Sequence, residues 1–334
     1  MRTDVTGDLK AAAAALVDAT DVTLLGHVDP DADAFGSAVG LGMVLRDRGA
    51  TVRVSFGNPA SVPESLLHLD DAGLFVPADA VPAAPATLVV LDCGSADRLG
   101  PLADRVTATR AAGGDVVVID HHFGTPEFGT INVLDDRAEA TAGLVLRLVD
   151  ELGAPLTEPA ARAIYAGILT DTSAFRRATP TTHLAGARLL DAGVDPVAVG
   201  RPLLDGDPFG WVRMLSAVLG RATLEPAAAH GLGLVYATIT VEDAADLRRE
   251  DLDSVVNIIR GIREAEVAAV LKQLDTDRWS GSLRAVGRVD VSAAARALGG
   301  GGHRLAAGFT ANGTAEHILA RLRRELDLAP LLDG

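Results

Sequence analysis

A chain of 334 residues is longer than one hydrophobic core usually accommodates, and 48% hydrophobic residues is ample for two. A net charge of -15 and only 4% aromatic residues argue against a dedicated duplex or long-strand binder, which needs a basic face or rows of stacking rings. The single cysteine, Cys93, excludes an intramolecular disulfide and reads as a small buried residue at a strand end. The first residues lack a secretory pattern and no apolar run approaches the ~20 residues of a membrane span, so a cytoplasmic protein with no membrane partner is expected.

In chain order, short β-branched runs alternate with longer helical ones up to about residue 190. Residues 22–26, 51–55, 87–91 and 115–119 read as strands, three of them almost continuously apolar, as in a parallel sheet covered on both faces. Residues 36–48 and 141–152 read as helices, ended by Gly49 and Gly153. The fold class is therefore α/β for this part. Segments 196–230 are Pro-punctuated and helical, including 207–221. After Glu225-Pro226, strands near 233–239, 267–274 and 279–285 and helices near 254–263, 291–298 and 315–325 predict a smaller α+β domain. The expected division is a first domain over 1–195, a helical linker over 196–230 and a second domain over 231–334.

Chemistry-bearing residues collect at strand ends. His27 follows the first strand with Asp31 and Asp33 close behind; Asp92 ends the third; Asp120, His121 and His122 end the fourth; Asp171 closes a later apolar stretch. In open parallel sheets ligands gather beyond the carboxyl ends of the strands, so these sequence-distant groups are expected to be neighbours. A loop holding His27, Asp31 and Asp33 is costly in charge repulsion unless cations are bound. His27, Asp31, Asp33, Asp92, His121 and Asp171 make a plausible cage for two hard or borderline divalent ions, the chemistry of phosphoester hydrolysis.

In order and spacing, His27-Val-Asp-Pro-Asp31-Ala-Asp33-Ala-Phe-Gly36-Ser37, Asp92, Asp120-His121-His122 and Gly167-Ile-Leu-Thr-Asp171-Thr-Ser-Ala-Phe175 resemble the four motifs of the DHH phosphoesterases. Gly299-Gly-Gly-Gly302-His303-Arg-Leu-Ala306-Ala307-Gly308 looks like the signature of the associated DHHA1 domain. The resemblance spans essentially the whole chain, and the compact two-domain form is similar to the oligoribonuclease and pAp (3'-phosphoadenosine 5'-phosphate) phosphatase group, which includes actinobacterial cyclic di-AMP phosphodiesterases. Ala32 stands where relatives often have glycine, which leaves every ligand type intact.

Carried over position by position, the resemblance implies that His27, Asp31 and Asp92 hold one manganese and that Asp33, Asp92, His121 and Asp171 hold the other, with Mg2+ or Co2+ as possible substitutes. Asp92 bridges them, and the pair activates water. His122 contacts the scissile phosphate or the leaving oxygen, with Asp120 orienting the imidazoles. Arg284 and Ser282, with Gly301, Gly302 and His303, bind a terminal phosphate. The implied substrate is a short nucleotide held between the two domains, such as cyclic di-AMP, pApA, a short oligoribonucleotide or pAp, with no duplex partner. A RecJ-like single-strand exonuclease and a non-catalytic nucleotide-binding regulator are the alternatives. Related two-domain chains suggest a homodimer, with 141–152 as a candidate surface. Asn132 and Thr141 sit on the loop and helix start expected to face the site, where Thr141 serves equally well as an N-cap. His68, His183, His230 and His317 lack ligand spacing, although His183 could approach the site.

Overall fold

The structure, a computed structural model, describes residues 5–245 and 247–332. It divides into two compact units between Gly206 and Asp207.

The first unit runs α1 (Thr6–Leu16), β1 (Asp21–Leu25), α2 (Ala32–Asp47), β2 (Thr51–Ser55), β3 (Thr87–Leu91) and α3 (Asp104–Ala111). It continues through β4 (Asp115–Asp120), β5 (Ile131–Leu134), α4 (Thr141–Glu151), α5 (Glu158–Asp171), α6 (Pro180–Asp191) and α7 (Pro196–Leu204). Its five strands form one parallel sheet in the order β2-β1-β3-β4-β5. The four expected strands are β1 to β4 within a residue at either end. Alternate side chains of the central strands go to opposite cores: Val89, Leu91, Val117 and Ile119 pack with α1, α2, α4 and α5, while Leu88, Val90, Val116 and Val118 pack with Leu99, Leu102 and Val106. Coverage on both faces explains why these strands read as unbroken apolar runs.

The chain leaves β1 in one direction to form β2 and returns on the other side of β1 as β3, so the topological switch point lies between β1 and β3. His27 and Asp92 follow those two strands at their carboxyl ends, the position where open α/β sheets bind ligands.

Helix α2 is buried along its length from Ala32 to Leu45, and α4 buries Leu144, Val145, Leu146, Leu148 and Val149. A helix as apolar around its circumference as α2 belongs in the interior, whereas α4 turns one apolar face inward. Within the unit α1, α2 and α5 pack against α4, which leaves Arg147, Asp150 and Glu151 as its outward groups.

The second unit contains α8 (Phe209–Gly220), β6 (Thr223–Glu225), α9 (Ala228–Gly231), β7 (Leu234–Ile239), α10 (Val255–Ile259) and β8 (Val267–Asp275). It ends with β9 (Arg278–Ala285), α11 (Val291–Ala297), β10 (Gly301–His303), β11 (Ala306–Asn312) and α12 (Ala315–Leu328). The strands form one mixed sheet, β10-β11-β9-β8-β7-β6, in which only β7 and β8 run parallel. Leu283, Ala285, Phe309 and Ala311 face α11 and α12, and Ala268, Val270, Val235 and Ala237 face α8 and α10. This is the expected α+β arrangement. The helix expected over 254–263 is shorter, stopping at Ile259 before the turn containing Gly261.

The second half of the glycine tract before His303, Gly301 and Gly302, belongs to the edge strand β10, while Gly299 and Gly300 lead into it. Gly302 has φ +133°, and a Cβ there would lie 2.6 Å from the Ala306 carbonyl oxygen and 2.7 Å from Ala307 Cα. The β10–β11 hairpin therefore closes only with glycine at this position, which a sequence poor in β-branched residues does not announce. No helix among the described residues is long and apolar enough to cross a membrane.

Candidate metal centre

Two groups of donor atoms meet at the carboxyl edge of the first sheet. In one, His27, Asp31 and Asp92 each offer a ligand atom within 4.8 Å of the others; in the second, Asp33, His121 and Asp171 do the same. Asp92 touches both. Its Oδ2 is 3.6 Å from His27 Nε2 and its Oδ1 is 3.4 Å from His121 Nε2. His121 Nε2 also lies 3.2 Å from Asp171 Oδ2 and 3.7 Å from Asp33 Oδ2, and His27 Nε2 lies 3.8 Å from Asp31 Oδ2.

Local structure aims each group. His27 Nδ1 donates to the Val28 carbonyl at 2.7 Å and His121 Nδ1 to the Ala138 carbonyl at 3.1 Å, which fixes the tautomer and presents Nε2 to the carboxylates. Asp31 is the N-cap of α2: its Oδ1 accepts the Asp33 and Ala34 amides, each at 3.0 Å, which leaves Oδ2 on the His27 side. Asp92 has φ +55°, a left-handed conformation that aspartate tolerates better than most residues.

Asp33 is fully buried and is held from across the fold. Its Oδ2 accepts the Thr141 amide at 2.7 Å and its Oδ1 the Ala142 amide at 2.8 Å, so a carboxylate on α2 occupies the N-terminus of α4, where unpaired amides and the helix dipole favour an anion. Thr141 is not an N-cap; it is the first helical residue, and its Oγ1 donates to Asp92 Oδ1 at 2.9 Å. The α5 backbone comes close enough at Gly167 that a Cβ there would lie 2.6 Å from Asp33 Oδ1. That approach carries Asp171, at the end of the same helix, to His121.

His122 and Asp120 form a separate pair. His122 Nδ1 donates to Asp120 Oδ1 at 2.7 Å, and Thr125 Oγ1 donates to Asp120 Oδ2, so both oxygens of this buried carboxylate are engaged behind the imidazole. His122 Nδ1 is also 3.7 Å from Asp92 Oδ1. Asp120 orients His122 in this way, and the Ala138 carbonyl orients His121.

The charge balance fits cations. Burial, then the neighbouring charges of Asp92 and Asp171, pushes Asp33 well above the usual carboxylate range, and burial with Asp31 and Asp92 nearby raises Asp171. Burial opposes charge on His27, yet hydrogen bonds to Asp31 and Asp92 carry it up to about 10; bonds to Asp171 and Asp92 likewise raise His121 against its burial. The pocket holds more carboxylate than a buried setting keeps ionised without positive charge, and oxygen donors with two imidazoles suit divalent metals. Burial pushes the Cys93 thiol up to about 12, in keeping with a structural residue.

Past Asp171 the chain makes a turn in which Ser173, Ala174 and Phe175 have φ of 53°, 57° and 63°. Three consecutive non-glycine residues in this region store strain of about 1 kcal/mol each. Phe175 is clamped between Tyr165 and His183, with ring centroids at 5.8 and 5.7 Å. His183 is thus a packing partner for Phe175. Replacing Ser173 with glycine is expected to raise the melting temperature by about 2 °C, after the entropic cost of glycine offsets part of the relief. A lower melting temperature would show that no strain is stored there.

Among the other residues singled out, Asn132 bonds both the amide and the carbonyl of Gly129 and holds the turn into β5. His230 Nε2 meets the Ala329 carbonyl at 2.9 Å in the second unit. In that unit Arg284 and His303 lie in one register row, each paired with Ala306, and Ser282 and Gly301 share the next through Gly308. All four are on the sheet face opposite Leu283 and the α11–α12 core, separated across the middle strand by roughly 10 Å. The two small residues of β11 leave the floor between them low.

Residues 21–168 match the DHH family, N-terminal domain, and residues 231–327 match the DHHA1 domain. The chain belongs to the DHH phosphoesterase family, hydrolases that act on phosphoester bonds. It is 34% identical to the bifunctional oligoribonuclease and PAP phosphatase NrnA of Thermus thermophilus, over 92% of this chain and 90% of the relative. The Bacillus subtilis protein of the same name is 25% identical over 89% of this chain and 91% of its own length. In fold, the chain is similar to an exopolyphosphatase-related protein from Bacteroides fragilis, with a TM-score of 0.86, 23% identity and 98% of both chains covered.

Proposed function

We propose that the protein is a manganese-dependent phosphodiesterase acting on short nucleotides: cyclic di-AMP, pApA, short oligoribonucleotides and, as a phosphatase, the 3'-phosphate of pAp. The observation that carries this reading is the single carboxylate, Asp92, whose two oxygens face two separate ligand groups. His27, Asp31 and Asp92 would hold one ion, and Asp33, Asp92, His121 and Asp171 the other. Such a pair, when bound, supplies an activated water and neutralises phosphate oxygens. Mg2+ or Co2+ would substitute in kind.

The chain's own groups do the rest. Asp120 holds His122 Nδ1-H, so that Nε2 is turned toward the substrate side, where it contacts the scissile phosphate or gives a proton to the leaving oxygen. His122→Ala should lower kcat by about 10²-fold or more with metal content unchanged, measured by turnover and elemental analysis. Equal loss of both would end that division of roles. In the second unit, Arg284, Ser282, Gly301, Gly302 and His303 are proposed to take a terminal phosphate, the arginine through its planar fork.

Resemblance to oligoribonucleases and the net charge of -15 support a short substrate. The test is turnover of cyclic di-AMP, pApA, short RNA, pAp and a long single-stranded DNA side by side with manganese. Cleavage confined to the short nucleotides supports the reading; sustained cleavage of the long DNA favours a RecJ-like exonuclease, and no turnover of any favours a nucleotide-binding regulator. A cytoplasmic homodimer is part of the proposal, with sedimentation as its check.

A further inference from the structure

Thr141 is a fully buried residue whose hydroxyl and amide go to two different carboxylates of the centre. Its Oγ1 donates to Asp92 Oδ1 at 2.9 Å, and its amide donates to Asp33 Oδ2 at 2.7 Å. Asp92 stands on a backbone with φ +55°, reached from the end of β3, and its carboxylate must present one oxygen to each ligand group. Rotation of that carboxylate about its terminal torsion is soft, with broad two-fold minima. A hydrogen bond to one oxygen from a residue whose own backbone is pinned removes that freedom.

We propose that Thr141 is a positioning residue for the shared carboxylate. Its hydroxyl holds Asp92 Oδ1 on the His121 side, which leaves Oδ2 toward His27, so that the centre is aligned for two cations before either arrives. This rests on the two-metal reading of the site. Ordering the bridge within the fold means that cation binding need not supply that order, and outer partners of metal ligands typically contribute 10- to 100-fold in affinity. Thr141 appears in no ligand pattern because it contributes no metal-binding charge; its role follows from where α4 begins.

The test is calorimetric titration of the metal-free full chain with Mn2+, comparing wild type with Thr141→Val, Thr141→Ala and Thr141→Ser, each also followed by thermal melting. Valine keeps the shape and both backbone amides but removes the donor; it should weaken Mn2+ binding about 10- to 100-fold while the metal-free melting temperature changes little, and serine should restore affinity. Alanine should weaken binding as valine does, which guards against a misfit of the valine methyl. Unchanged Mn2+ affinity in both valine and alanine variants, with only the melting temperature lowered, would assign Thr141 a purely structural role. Because metal binding is read without substrate, the outcome stands whichever nucleotide is turned over. If the wild-type chain bound no Mn2+ at all, the two-metal reading itself would fall, and this proposal with it.

Discussion

Asp92→Asn is expected to lower kcat/KM on any accepted nucleotide by about 10³-fold or more, and to reduce bound Mn2+ below the wild-type stoichiometry. Asparagine is the informative replacement. It tolerates the left-handed backbone at φ +55°, and its carbonyl oxygen can still accept the Thr141 hydroxyl, so the change removes one charge and one ligand oxygen and little else. Alanine would add backbone strain to the loss. Steady-state kinetics with metal analysis of the purified variant provides the measurement. Full activity in Asp92→Asn would mean that the two ligand groups do not work through a shared anion.

The second large effect lies outside the ligand set. Gly167→Ala would place a methyl group 2.6 Å from Asp33 Oδ1, 2.8 Å from Ala142 Cβ and 3.0 Å from Asp33 Cα, distances at which something must move. Both neighbours are fixed, Asp33 by two amides and a hydroxyl from Ser37, Ala142 by the start of α4. Overpacking of this kind costs about 1–3 kcal/mol, and the displaced group is a ligand candidate. Turnover should fall by about 10²-fold, a loss of the size that follows from a misplacement of about 1 Å, together with a lower melting temperature. Gly143→Ala, on α4 with nothing within 4 Å of the added methyl, is the control and should leave turnover intact. If the two variants behaved alike, the approach of α5 to Asp33 would not be what sets the centre.

Much of the centre was legible because its residues carry unusual chemistry at structurally marked points. His27, Asp92 and His121 follow strands, and any parallel sheet brings such positions to one edge. The unbroken Val and Leu runs of β3 and β4 announced strands covered on both faces, and those strands are where they were expected. Less visible were β5, β10 and β11. β5 is only four residues long, and β10 and β11 are built largely of glycine and alanine; all three are strands because a neighbour's backbone completes the ladder. The packing of α4 was not legible either: an apolar stretch looks the same in sequence whether it meets a second copy or its own core, and here α1, α2 and α5 pack against it.

The amino-acid sequence by itself determined the class of reaction, since donor type and order along the chain are properties of the residues: carboxylates and imidazoles at the ends of strands demand cations and serve phosphoester chemistry. Only the tertiary structure decided how those donors are held. Thr141 and Gly167 lack the charge that marks a ligand, and their part depends on where α4 begins and how near α5 passes to Asp33. Such contacts join residues far apart in the chain, Thr141 with Asp92 49 positions away and with Asp33 108 positions away, and packing of the completed core is what brings them within hydrogen-bonding distance.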